Sequence, residues 1–257
     1  MKTSKIIIYD EPTVPEIQIN KLEKFLKDTF HVDTEVRRNF FEDANDELFQ
    51  EIAATRIFEL KKPFSKHIPI ESEIQTEREN IDNSQSKEKI LYDGFEFQKA
   101  VSKFIPTEEQ HQEILHIILT NKLPCTFDES DFRYHARALI GTNPSIISTT
   151  GIIEAPAKPK EYYLELMTNF SEGSIDKINE KYKGEFLEYN DPRISEITEG
   201  YLLQAIMYYE TGDAFCEDKE CRLYNAHWQK DLFNSQLKNK KFCSKHEKSF
   251  RKIIDHS

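Results

Sequence analysis

AIMYYETGDAFCEDKECRLYNAHWQKDLFNSQLKNKKFCSKH, residues 205–246, holds three of the chain's four cysteines, Cys216, Cys221 and Cys243, followed by His246. Cys216 and Cys221 enclose four residues, and Cys243 and His246 enclose two. The first spacing suits a tight loop whose two thiolates reach one ion. The second suits the first turn of a helix. Zinc takes four soft or borderline ligands in a tetrahedron, and two close pairs deliver them at little loop-closure cost. The alternative is three buried thiols and a surface histidine. Paired Cys/His spacing favours metal. The expectation is one structural zinc ion (Zn2+), bound by Cys216, Cys221, Cys243 and His246, with binding coupled to folding of the C-terminal third.

Upstream, Asp191-Pro192 reads as a helix start, and the helix runs to about Tyr209. Ile194, Ile197, Tyr201 and Ala205 fall on its core side, and Gly212 fits its C-cap. A helix, then Gly212, then CEDKEC resembles the archaemetzincins. Those proteases carry H-E-x-x-H-x-x-G-x-x-H-C, a second cysteine, a Met-containing turn and a distal C-x-x-C. On this chain the first pattern ends at Cys216, and Gly212 takes the glycine. The three histidine positions fall on Ala205, Tyr209 and Phe215, the glutamate position on Ile206, and the Met-turn position on Leu223. The resemblance therefore implies that the structural zinc half is kept, with His246 in place of the fourth cysteine. It implies equally that the catalytic half is erased and that H-E-x-x-H is replaced by Ala205-Ile206-Met207-Tyr208-Tyr209. None of those side chains supplies three imidazoles and a general base, so no catalytic residue is assigned. Ala205, Tyr209 and Phe215 are expected to fill the old cleft.

A second stretch, GTNPSIISTTGIIEAP (141–156), looks like the archaemetzincin edge strand that pairs with extended peptide. An edge strand offers unpaired N–H and C=O groups to such a ligand. The alternative is an ordinary inner hairpin. On the resemblance, the candidate peptide-binding cleft is Ser148, Thr149, Thr150, Gly151 and Tyr209. A replacement catalytic site could be imagined from His135, His227, Glu154 and Glu210, although no spacing enforces it. His111 and His116 lie five apart and do not share a helix face as ligands four apart would.

The rest of the chain supports an α/β (α+β) class. KIIIY (5–9) reads as a buried strand, 15–30 as an amphipathic helix and HVDTEVRR (31–38) as a half-exposed strand. Residues 47–60 and 107–121 read as helices. Residues 122–127 and 132–140 read as strands, and 170–190 as a polar loop. Segment 61–89 is polar with no aromatic after Phe64, so it is expected to be flexible, within an insertion spanning 62–105. The expected architecture is a single domain over 1–257: a metzincin-like mixed twisted sheet with flanking helices and a zinc-bound C-terminal segment.

A net charge of −11 disfavours a general nucleic-acid or anionic-membrane binder. No apolar run reaches membrane-spanning length. Four cysteines in this pattern suit a reducing compartment, hence the cytoplasm, with a disulfide-bearing secreted protein as the alternative. The function these features favour is an archaemetzincin-related pseudoenzyme with a structural zinc, binding a peptide or protein ligand in its cleft. The competing readings are an active zinc metallopeptidase with a rebuilt, atypical site, and a zinc-knuckle module binding nucleic acid through the basic tail 238–252. The overall acidity speaks against the last.

Overall fold

The computed structural model describes residues 1–80, 89–169, 172–213 and 215–255. Its centre is the KIIIY run, which forms β1 (Lys5–Tyr9). Successive side chains of a strand face opposite ways. Ile6 and Ile8 therefore enter one apolar cluster, while Ile7 and Tyr9 enter another. A strand covered on both faces is an unbroken apolar run for this reason. α1 (Ile19–Phe30) buries Leu22, Leu26 and Phe30 on one stripe, and His31, at φ 54°, closes it by donating its N–H to Lys27 O. The chain returns in β2 (Asp33–Arg37), parallel to β1, as the strand–helix–strand pattern predicts.

α2 (Asp46–Ala53) begins at Asn45, whose side chain accepts from Leu48 N. It is shorter than the 47–60 helix expected, because the chain leaves it to bridge Arg56 to Tyr92. Part of the segment expected to be flexible forms α3 (Glu71–Glu79), which buries Glu77 completely. Residues 81–88 of that segment lie outside the described residues. β3 (Leu91–Asp93) leads directly into α4 (Gly94–Ser102), whose Phe97 and Val101 belong to the second core cluster.

Residues 107–121 differ from the helix expected. A single 3-10 turn at Thr107–Glu109 is followed by β4 (Ile114–Thr120), which lies between β1 and a later strand. The apolar run ILHIIL satisfies two covered sheet faces, and this outweighs the N-terminal Thr-Glu-Glu signal. His116 is consequently a buried strand residue, with Nδ1 3.2 Å from Tyr9 Oη and Nε2 3.2 Å from Glu109 O.

β5 (Leu123–Asp128), β6 (Arg133–Ala136), β7 (Leu139–Ile140) and β8 (Ser145–Ser148) complete two mixed sheets. One has the order β2-β1-β4-β8-β7, the other β3-β5-β6. The stretch 132–140, expected as one strand, breaks after Ala136 because its first half pairs with β5 and its second with β8.

Helices cover the larger sheet. α5 (Thr149–Glu154) is capped by Ser148, whose Oγ accepts from Gly151 N. α6 (Lys160–Thr168) and α7 (Glu172–Lys181) share a small core of Tyr162, Ile178 and Tyr182; α7 lies where a loop is expected. α8 (Ile194–Thr211) runs through the main core and stops at Gly212, at φ 77°. α9 (Gln229–Phe233) continues into a wide π turn, and α10 (Ser244–Asp255) ends the described chain. Among the described residues no helix is long and apolar enough to cross a membrane.

Candidate metal centre and adjoining cleft

Gly212 turns the chain out of α8 and sends it into the loop that carries Cys216 and Cys221. This loop is tied to itself by Cys216 N donating to Leu223 O and Cys221 N donating to Asp218 O. A bridge from Cys221 to Lys241 brings in the segment that carries Cys243, just before α10, and the first turn of α10 carries His246. One ligand atom from each of Cys216, Cys221, Cys243 and His246 then lies within 4.8 Å of all the others.

The individual separations test the fit to zinc. Cys216 Sγ and Cys243 Sγ are 3.8 Å apart, Cys221 Sγ and His246 Nδ1 3.5 Å, and Cys243 Sγ and His246 Nδ1 3.2 Å. Ordinary Zn–S and Zn–N bonds in a tetrahedron give S···S edges of about 3.8 Å and S···N edges of about 3.5 Å. The donor set is thus close to the size that zinc needs.

Backbone N–H groups support the sulfurs: Asp218 N lies 3.4 Å from Cys216 Sγ, and Cys243 N 3.4 Å from Cys221 Sγ. Burial pushes the Cys221 thiol up to about 12, so a bare thiolate there is costly and a cation would offset that cost. His246 is buried, with Nε2 3.6 Å from an Asp213 carboxylate oxygen, a position suited to orienting the ring. The isolated Cys125 lies far along the chain from this cluster, buried in β5, and burial pushes its thiol up to about 12.

Beside this centre lies a cavity of about 500 Å³. α8 forms one wall, with Tyr201 and Tyr208 seven residues apart on one helix face. Phe95 and Gln98 of α4 and residues 136–142 also line it. Phe215, Asn225 and His227 close one side.

The residues expected to make up the cleft fall out differently. β8 is an interior strand, paired with β4 on one side and β7 on the other. Ser148, Thr149, Thr150 and Gly151 are buried, and the three hydroxyls donate to the carbonyls of Lys122, Thr120 and Asn121 respectively. They cannot offer a free edge. One edge of the five-stranded sheet, the one next to β8, is β7.

Of the three positions expected to fill the cleft, Phe215 lines it. Ala205 is fully buried in the core, and Tyr209 turns away to donate its hydroxyl to Gln112 O at 2.7 Å. Tyr208 takes the place given to Tyr209. The seven-residue spacing of Tyr201 and Tyr208 was the signal that could have found this face.

The imagined replacement site is dispersed. His135 Nε2 lies 2.9 Å from Asp131, Glu154 accepts from Lys89 and Tyr189, and Glu210 accepts from the Thr3 hydroxyl and the Lys2 and Thr3 amides. His227 alone lines the cavity.

A mixed α/β fold thus carries a Cys3His cluster close to an apolar cleft. The chain belongs to the probable metallopeptidase family DUF6775, whose model matches residues 2–253. No curated protein matches it. Its backbone is similar to the crystal structure of a zinc-dependent peptidase from Methanocorpusculum labreanum (strain Z), at 12% identity, over 96% of this chain and 99% of that one, with a TM-score of 0.47.

Proposed function

We propose that this chain is a zinc-stabilised, non-hydrolytic relative of the metallopeptidases, of archaemetzincin type, whose cleft holds an extended peptide. One observation carries the reading. Among the described residues, those lining the cavity include one imidazole, His227, and neither a carboxylate nor a thiol. Metal-assisted peptide hydrolysis needs an ion with an open position, three protein ligands and a carboxylate beside the bound water. The Cys3His cluster would instead enclose its zinc with four protein ligands, as structural sites do.

Two features support peptide as the ligand. The cavity walls are largely apolar and aromatic, and β7 is a sheet edge, where an extended chain can add as a further strand. All four cysteines are free, which fits a reducing compartment and, in this reading, the cytoplasm.

The experiment combines metal analysis with a cleavage assay. One zinc per chain and no chelator-sensitive hydrolysis of a peptide pool is the expected result. Two zinc ions with chelator-sensitive cleavage, lost in His227→Ala, would establish the rebuilt enzyme instead.

A further inference from the structure

The open part of the sheet edge is short, and its bounds are informative. Ala138 O accepts from Ser148 N, and Ile140 pairs with Ile146. In an antiparallel ladder the residue between two such pairs points its N–H and C=O the other way. Leu139 therefore directs both groups away from β8, and neither has a partner among the described residues.

The edge does not continue past Arg137. Arg137 N donates to Pro124 O, and Arg137 O lies against Gly151, 2.1 Å from where a Cβ there would sit. At the other end Gln98 Nε2 donates to Gly141 O. A chain added along this edge can pair fully with Leu139 and must stop near Arg137.

At that stop sits a cation. Arg137 is half-buried, and its Nε donates to Thr126 Oγ1 at 2.7 Å. Among the described residues its terminal nitrogens form no ion pair; Asp128 on the neighbouring strand feels the Arg137 charge but accepts its hydrogen bond from Ser130 N. Arg137 is the one permanently charged side chain among the described residues lining the cavity, in a chain of net charge −11. Two free N–H donors in a planar fork match a carboxylate.

We propose that the cleft captures the C-terminal end of a peptide, paired antiparallel to β7, with its terminal carboxylate on Arg137. An antiparallel chain has its C-terminus at the Arg137 end, where the open edge stops. The residue paired with Leu139 and its neighbours then lie among Tyr208, Phe95 and Phe215, so the end captured is apolar or aromatic. This proposal rests on the reading of the cleft as a peptide groove.

The test uses the full chain and two fluorescein-labelled octapeptide pools of randomised sequence, one with a free C-terminal carboxylate and one amidated. Fluorescence anisotropy should show the amidated pool binding about tenfold or more weakly, as for loss of a charge-assisted contact. Arg137→Gln should weaken the free-acid pool by a similar factor and so remove most of the difference between the two pools. Arg137→Lys should recover part of the difference. The wild-type pool comparison requires no variant, so a folding defect in either substitution leaves the test intact. Equal binding of both pools would overturn the carboxylate capture while leaving the peptide groove standing. Preference for amidated peptides with internal Asp or Glu would also overturn it. No binding of either pool would overturn the groove itself.

Discussion

Gly141 lies directly against the ring of Tyr208: a Cβ at position 141 would sit 2.4 Å from Tyr208 Cδ1. The strand edge and the α8 wall of the cleft are therefore fitted to each other at one point. Gly141→Ala must displace the ring, and overpacking of this kind costs about 1–3 kcal/mol. Chemical denaturation should show that loss. Combining it with Tyr208→Leu should give less than the sum of the two single effects. Strict additivity would mean that the close approach carries no energy.

Zinc is expected to stabilise the C-terminal third. An ion at about 1,000 times its Kd adds about 4 kcal/mol, and each kcal/mol moves Tm by about 2–4 °C in a chain of this size. Cys216→Ser and His246→Ala should each release the metal and lower Tm by about 8–16 °C. Cys125→Ser should keep one zinc per chain, since that thiol is outside the cluster. Unchanged Tm and metal content in Cys216→Ser would remove the site.

Glu77 is the anchor of α3. It is fully buried, with Arg56 Nη2 at 2.7 Å, Lys122 Nζ at 2.5 Å and the Tyr92 hydroxyl at 3.0 Å. Removing one partner from a buried ion group leaves uncompensated charge and costs about 3–5 kcal/mol. Glu77→Gln should lose that much, and thermolysin should then cut within 71–79 before the rest of the chain.

The same residue sets a pH dependence. Burial pushes the Glu77 carboxyl up, but Lys122 and Arg56 outweigh it and hold the group below its ordinary value of 4.5. A carboxyl lowered on folding contributes stability that is complete above its unfolded value and fades as pH falls through the folded one. Wild-type stability should thus decline below about pH 4.5, more steeply than that of Glu77→Gln. Parallel curves for the two proteins would rule out Glu77 as the source.

Cleavage of peptide substrates is not expected. On the proposed reading a general base, which alone contributes factors of about 10²–10⁴ in rate, is missing, and so is the ligand set, among the described residues that line the cleft. Mass spectrometry of a peptide mixture incubated with the protein should show the same composition with and without chelator.

The Cys3His cluster was legible from the chain alone because its two residue pairs are local. Four residues between Cys216 and Cys221, and two between Cys243 and His246, set which atoms meet almost independently of the rest of the fold. The alternation of β1 and the αL stop at Gly212 are local in the same sense. The cleft is not. Whether Ser145–Ser148 or Leu139–Ile140 lies at the sheet edge depends on which strand is added last, and no short-range pattern records that. His116 reads as helical until β1 and β8 close on both sides of its strand. Glu77 reads as solvated until Arg56 and Lys122, 21 and 45 residues away, meet it in the core. Local spacing determined which cysteines and histidine cluster and where the elements end. Long-range pairing, where burial outweighs local propensity, decided which side chains face the cleft and which charges are buried.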